Sequence, residues 1–351
     1  MIFDLDKNIF GLDISDRALR LIQLKKKGKK TVLSSYNEIV IPEGIITNGV
    51  IIDENNLIKL LHQLITTVKG DKINTKKVIS VLPETKTFIK VIEITPIEKE
   101  EVATTIEKEI KNHIPLSPEE IYFDWQILKT AKNSTKVLIG AAPRNIVDSY
   151  VDLLGKSNLT PYVLEIEAAA IIRSLIAKND NKSKIIIDFG AARTGLIIYD
   201  QGTVQFTISL PTSGNKITTE IAKTLKIEAE KAEKAKIVCG LDPNKCEGAL
   251  LKVLMSSINI LASQIKKAMV FYKTNFPNRK SIEEIILCGG GANFSNINKV
   301  LQEKLNMPVR LGNPLTNSTQ KKKLAIPNNK LNSHATAIGL ALRAFEKKNL
   351  L

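Results

Sequence analysis

Ile185-Ile-Ile-Asp188-Phe-Gly190-Ala-Ala-Arg-Thr194-Gly195-Leu-Ile-Ile-Tyr199-Asp200 reads as two apolar strands joined by a short turn, the first strand ending in an aspartate. Apolar runs of this length bounded by turn residues predict a β-hairpin. The same arrangement stands near the start of the chain, where Phe10-Gly-Leu-Asp13-Ile-Ser15 is followed by a turn and by Leu19-Arg-Leu-Ile-Gln-Leu24. The two aspartates, at positions 13 and 188, lie half of the 351-residue chain apart. Duplication of one α/β unit predicts two lobes that face each other across a cleft.

Helical stripes follow each hairpin. Leu57, Leu60, Leu61 and Leu64 mark a helix over 55–68, and Ile217, Ile221 and Leu225 one over 212–225. A long helix is expected over 252–272, with Val253, Ile260, Ile265 and Phe271 inward. Others are expected over 293–305 and 335–345. Between the lobes, strands at 88–94, 122–128, 136–142 and 162–166 alternate with helices at 98–113 and 145–157. The order β-α-β-β-α-β predicts an inserted ferredoxin-like subdomain over 86–164.

Composition narrows the function. Charged residues make up 25% and apolar residues 43%, an ordinary globular range. No apolar run approaches the ~20 residues of a membrane span. The acidic start Met1-Ile-Phe-Asp-Leu-Asp6 lacks the pattern of a secretory signal, so a cytoplasmic location is expected. Three cysteines without a CxxC, and three scattered histidines, argue against structural zinc and for reduced thiols. The 51 Lys and Arg against 36 Asp and Glu give a net charge of +15. Seven basic and no acidic side chains fall between Arg17 and Lys30, and Lys321-Lys-Lys323 forms a second run. Without interleaved aromatic residues these runs do not suit single-stranded nucleic acid. A solvated, lysine-rich surface is the first reading, weak contact with an anionic membrane surface the second, and no nucleic-acid partner is expected.

Four elements carry chemistry. Asp13 and Asp188, facing each other, suit Mg²⁺ held through its waters, because this ion takes one or two carboxylates beside phosphate oxygens. The turns after them, with Ser15 and Arg17 in the first and Gly190 and Thr194 in the second, offer donors to phosphate. Gly289-Gly290-Gly291, after the strand 285–288 and before Asn293 as the cap of the next helix, allows a flat ligand to approach closely. Glu233 and Lys236 share a helix face at i, i+3, where Glu233 can meet a ribose hydroxyl.

In this order the four elements resemble the actin-like ATPase superfamily. Gly11-Leu-Asp13-Ile-Ser15 and Asp188-Phe-Gly190 are similar to its two phosphate motifs, and Gly289-Gly-Gly291 to its adenosine motif. Helices 168–175 and 335–344 resemble the connecting helices where the lobes touch. The insert narrows the likeness to the FtsA and PilM families. Glu165-Ile-Glu-Ala-Ala-Ala-Ile-Ile-Arg173, Asn48-Gly-Val-Ile-Ile-Asp53 and Met307-Pro-Val-Arg-Leu-Gly-Asn-Pro314 favour the PilM family of type IV pilus assembly proteins.

The resemblance implies a first lobe over 1–85, the insert over 86–164 and a connecting helix over 165–184. A second lobe over 185–334 and a closing helix over 335–351 complete the arrangement. It implies ATP and Mg²⁺ between the lobes, with hydrolysis slow at most. Asp13 and Asp188 would serve the metal, and Gly190, Thr194 and Gly289–Gly291 the nucleotide. Glu233 and Lys236 would flank ribose and base, and Glu167 would position a water. The chain departs from the family at Ser15-Asp16-Arg17, where glycine and small hydroxyl residues are usual. The resemblance further implies a cytoplasmic scaffold at the inner face of the membrane, among other pilus assembly proteins and able to self-associate. Such a scaffold binds the N-terminal tail of a PilN-like inner-membrane protein where the insert meets the first lobe. An FtsA- or MreB-like filament protein is the alternative. A sugar kinase is disfavoured, because no further aspartate in an apolar-flanked loop is available as the base.

Overall fold

A computed structural model describes residues 8–95, 102–131, 134–277 and 279–346. The stretches 1–7, at the start of the expected first lobe, and 347–351, at the end of the expected closing helix, lie outside the described residues, as do 96–101 at the start of the expected helix 98–113.

In chain order the first lobe runs β1 (Phe10–Ile14), β2 (Ala18–Lys27), β3 (Lys30–Val40), β4 (Ile46–Thr47), β5 (Val50–Ile51), α1 (Glu54–Thr66), β6 (Lys69–Gly70) and β7 (Lys77–Leu82). There follow β8 (Phe88–Ile94), α2 (Val102–His113), β9 (Ile121–Ala131), β10 (Ser134–Pro143), α3 (Arg144–Lys156), β11 (Thr160–Ile166) and α4 (Glu167–Leu175). The second lobe runs β12 (Lys184–Phe189), β13 (Thr194–Asp200), β14 (Thr203–Leu210), α5 (Gly214–Leu225), α6 (Ala229–Cys239) and α7 (Ala249–Asn275). It ends with β15 (Glu284–Cys288), α8 (Ile297–Leu305), β16 (Val309–Leu311), α9 (Asn328–Leu331) and α10 (Ala335–Arg343).

The first sheet has the order β11-β7-β1-β2-β3-β6, with β1 antiparallel to β2 and parallel to β7. Every residue of β1 is buried, as its unbroken apolar run requires of a central strand covered on both faces. The second sheet has the order β16-β15-β12-β13-β14-β8-β10-β9. Its β12 lies between antiparallel β13 and parallel β15, which mirrors β1 between β2 and β7. The two hairpins are therefore equivalent in position, as the duplication predicts.

The insert differs from the expected four-stranded arrangement. Only β8, β10 and β9 form it, and they extend the second sheet through β14, where Phe206 pairs with Lys90. The strand β11 instead joins β7 in the first sheet, and α3 places Ile146, Tyr150, Leu153 and Leu154 in the first lobe's core. Their apolar stripes are real, but they meet a different partner surface. The face of α7 also differs. Leu254, Ile258, Leu261, Ile265 and Tyr272 are buried, whereas Ile260 and Phe271 are half exposed and Phe271 packs edge-on against Phe206. Cys239 and Cys246, expected as thiols, form a disulfide that ties the end of α6 to the loop before α7.

The lobes are joined where α4 crosses α10. A Cβ on Gly339 would overlap the carbonyl oxygen of Ala170, so this crossing exists only because Gly339 has no side chain. Gly11 of β1 serves the same contact, since a Cβ there would lie 2.5 Å from the Ala341 nitrogen. This first glycine of the expected phosphate motif thus seats α10 rather than facing the cleft.

Candidate functional site

The ends of β1 and β12 open on one cavity of about 220 Å³ between the lobes. Asp13, Ser15, Asp16, Arg17, Arg20, Glu38 and Glu167 line it from the first lobe, and Asp188, Gly190, Arg193, Gly289 and Gly290 from the second. Asp13 and Asp188 therefore share a pocket. Burial, then the charge of Asp13, raises the Asp188 carboxyl above the usual range, and burial also raises Asp13 against the opposing pull of Arg20. Glu167 is pushed well up by burial, with Asp188 and Asp13 adding to the effect.

Two arginines balance these acids. Arg20 stands directly across the hairpin from Asp13, donates to its Oδ2 at 3.2 Å and reaches Glu38 at 2.9 Å. Arg193, in the turn between β12 and β13, reaches across the cleft and pairs with both Glu84 and Glu167 of the first lobe. Thr336 of α10 donates to the other oxygen of Glu167 at 3.3 Å. The spacing of the motifs does not reveal this arginine bridge. For Arg20 a signal existed: hairpin register places it opposite Asp13. For Arg193, Glu84 and Thr336 the sequence carries none.

The residues fit a bound cation. The Oδ1 of Asp13 is buried with no hydrogen-bond partner among the described residues, and the two further buried acids beside it, Asp188 and Glu167, favour added positive charge. They also leave room for phosphate, because Gly290 faces the cavity with only the Ser333 hydroxyl, 3.8 Å from a would-be Cβ, nearby. The other two glycines serve packing. At Gly289 the φ is +78° and a Cβ would strike Asp188 and Phe189, while at Gly291 it would strike the Phe189 ring.

Several expected contacts lie elsewhere. The Thr194 hydroxyl is buried and donates to the Thr212 carbonyl at 2.7 Å. Lys236 is also buried; it donates to Gly214 O at 3.0 Å and Thr218 Oγ1 at 2.7 Å, pairs with Glu233, and lies over the Phe294 ring. It pins α6 to α5 and does not line the cleft, whereas Glu233 keeps a half-exposed carboxylate. Asn293 donates to Gly290 O at 3.2 Å within a 3₁₀ turn, and the residue preceding α8 is Asn296 instead. Asp16 is held by the Asn48 and Gly49 N–H groups at 2.9 Å each, so the β4–β5 turn shares the charge that the sequence directs at phosphate.

A second depression, of about 330 Å³, lies between the insert and the first lobe. One face of the β9–β10 pair presents Tyr122, Asp124 and Gln126 beside Ala142, Gly140 and Leu138, while Ile139 and Val137 on the other face are packed into the insert's own core with Ile106 and Ile110 of α2. The small side chains at Gly140 and Ala142 hollow this face opposite Val163, Leu164 and Ile166 of β11. Both β9 and β11 are edge strands. Arg343 closes one side, and Leu82 lines both the groove and the cleft.

Comparison with known proteins agrees with this architecture. A family model described as type IV pilus assembly protein PilM matches residues 11–345. Among curated proteins, the cell division protein FtsA of Borreliella burgdorferi is 26% identical over 151 residues, which cover 38% of this chain and 37% of that one. FtsA of Neisseria meningitidis is 26% identical over 174 residues, 44% of this chain and 41% of that one. The chain thus matches less than half the length of these two relatives. Among solved structures, a PilM-PilN type IV pilus biogenesis complex matches with a TM-score of 0.83 at 21% identity, covering 97% of this chain and 99% of that one. MreB5 of Spiroplasma citri bound to AMPPNP matches with a TM-score of 0.56 at 15% identity, covering 97% and 96%. The fold is that of the actin-like ATPases, and no described helix is long and apolar enough to cross a membrane. By the match over residues 11–345, the chain belongs to the PilM family of type IV pilus assembly proteins.

Proposed function

We propose that the chain is a nucleotide-binding scaffold of a pilus assembly machine that holds an extended tail of a PilN-like membrane protein in the groove between insert and first lobe. The observation that carries this reading is the hollow between two edge strands, β9 and β11. An extended peptide adds readily to such an edge through main-chain hydrogen bonds, and apolar side chains at alternate positions fill the pockets beside it. Leu138, Val163, Leu164 and Ile166 suit apolar side chains of the tail.

In the cleft, Asp13 and Asp188 would hold Mg²⁺, which would neutralise phosphate charge, and Gly190 and Gly290 would lie against the nucleotide. Glu167 would orient a water only after Arg193 releases it, which agrees with slow hydrolysis at most. Cleft and groove share the β11–α4 junction, with Glu165 and Ile166 facing the groove and Glu167 facing the cleft. A nucleotide changes peptide affinity only by its differential affinity for the two states of that junction.

The test is fluorescence anisotropy of a labelled synthetic peptide with the N-terminal tail sequence of a PilN-like protein, with and without Mg·ATP. Saturable binding that is lost in Leu164→Asp and weakened in Tyr122→Ala is expected. Unchanged binding in both variants would remove the groove assignment, and equal affinities with and without nucleotide would remove the coupling.

A further inference from the structure

Two lysine runs separated by about 290 positions lie along one edge of the first lobe's sheet. The β2–β3 hairpin tip carries Lys25, Lys26, Lys27, Lys29 and Lys30, all exposed. Thr319 bridges in parallel to Val32, and its N–H donates to Thr31 O at 2.9 Å. Two residues further on, Lys321, Lys322 and Lys323 project as a tight turn closed by a bridge from Lys321 to Leu324, and all three are exposed. Because this bridge is parallel, residues 319–321 follow 32–34, so at ~3.3 Å per residue the turn stands beside the hairpin's stem, roughly 13 Å along the strand from Lys30. Asp71, at 3.0 Å from Lys25, is the acid that pairs with this surface, and no ion pair among the described residues engages the other seven lysines.

We propose that this lysine surface, formed by the β2–β3 tip and the 321–323 turn, rests on an anionic lipid bilayer. Three observations favour lipid over nucleic acid. Every cation of the patch is a lysine, a point charge without the planar fork that reads phosphates or bases bidentately. No aromatic side chain is exposed among the lysines to stack on bases; Phe345, beneath Lys26 at 5.8 Å, is partly buried. The patch is a hairpin tip and a tight turn farther along the same strand edge, and neither offers a helix to a groove. The patch also adjoins the peptide groove. Arg343 lines that groove, and Phe345, two residues later, lies under Lys26. A tail that leaves the groove toward its own membrane span would bring the lysines down onto the same leaflet. This last argument rests on the groove reading, whereas the charge argument stands without it.

The test uses the full chain alone, in flotation with vesicles of phosphatidylcholine, with and without phosphatidylglycerol. Each lysine close to an anionic leaflet multiplies partitioning by roughly five, so K27Q/K29Q/K30Q should weaken binding about a hundredfold. A control with the same change of net charge on the second lobe, K252Q/K266Q/K267Q, should bind as the parent does. Binding should fade as salt rises and the screening length contracts toward ~3 Å at molar ionic strength. Equal binding to neutral and anionic vesicles, or equal loss in patch and control variants, would overturn the proposal. So would tighter binding of a short DNA or RNA duplex than of anionic vesicles at the same salt. Peptide binding to the groove, measured on the same variants, separates this outcome from failure of the scaffold reading.

Discussion

Replacing Arg193 by alanine tests whether the cleft is closed by its own side chain. Arg193 crosses from the second lobe to Glu84 and Glu167, whose side chains are only 6% and 12% exposed. Removing one partner of a buried ion pair costs about 3–5 kcal/mol, because the remaining charge is left in a poorly solvated place. The arginine itself is 22% exposed, so water screens part of the loss and the low end, about 3 kcal/mol, applies. At ~2–4 °C per kcal/mol for a lobe of this size, the Tm should fall by roughly 6–12 °C in a chelator. The acids that remain then favour any other cation, and binding to the folded state raises stability by mass action. Differential scanning calorimetry in EDTA and in millimolar Mg²⁺ reads both effects. Arg193→Ala should lose stability in EDTA and regain more of it with Mg²⁺ than the parent does. A variant that melts with the parent in EDTA, or that gains no more from Mg²⁺, would refute the arginine bridge as the counter-charge of the cleft.

Gly339→Ala forces a methyl into the Ala170 carbonyl and should cost about 3 kcal/mol or more, whereas Gly155→Ala, on an open face of α3, should stabilise by ~0.5–1 kcal/mol; chemical denaturation of both checks the α4–α10 crossing. Reduction of Cys239–Cys246 releases a loop seven positions long and should lower stability by ~2 kcal/mol, read as a lower Tm in phosphine that a Cys239→Ser variant no longer shows. His334 is buried with its Nδ1 on Lys330 O, and burial, aided by Arg20, lowers its pKa from 6.5 to about 4. The neutral ring is therefore favoured in the folded state, the stability it gives is full above ~6.5, and about 3 kcal/mol of it is lost as pH falls from there toward 4. His334→Gln should flatten the stability profile over that window, and an unchanged slope would exclude the histidine as its source.

The sequence carried the duplicated hairpins because a central strand buried on both faces leaves an unbroken apolar run, and Asp13 and Asp188 interrupt those runs at equivalent places. It did not carry the destination of β11 and α3, since periodicity reports that a face is buried and not what buries it. The misread face of α7 has a different origin. Val253, Ile260, Ile265 and Phe271 are large apolar residues but do not keep i, i+3/i+4 spacing, whereas Leu254, Ile258, Leu261, Ile265, Ala268 and Tyr272 do. The Glu233–Lys236 pair was legible as a pair, but its direction was not. Lys236 turns inward because Gly214 O, Thr218 and Glu233 supply three partners there.

The cleft differs from its sequence motifs chiefly in charge. Motif reading places two aspartates and several small residues around an anionic ligand. The structure sets Glu84 beside the expected Glu167 on one side, with Arg20 and Arg193 supplying the opposite charge. An arginine in a turn of otherwise small residues has one consequence for both sites. Arg193 binds Glu167 at the start of α4, and Glu165 and Ile166, immediately before it, line the groove. Gly140 of the insert packs against Ile166, 2.9 Å separating a would-be Cβ from Cδ1. Release of Glu167 by Arg193, as the proposed function requires, would therefore act on the segment against which the insert packs. Packed interfaces shift between discrete arrangements and do not deform continuously, so under the proposed coupling a small displacement at Glu167 would change the width of the groove.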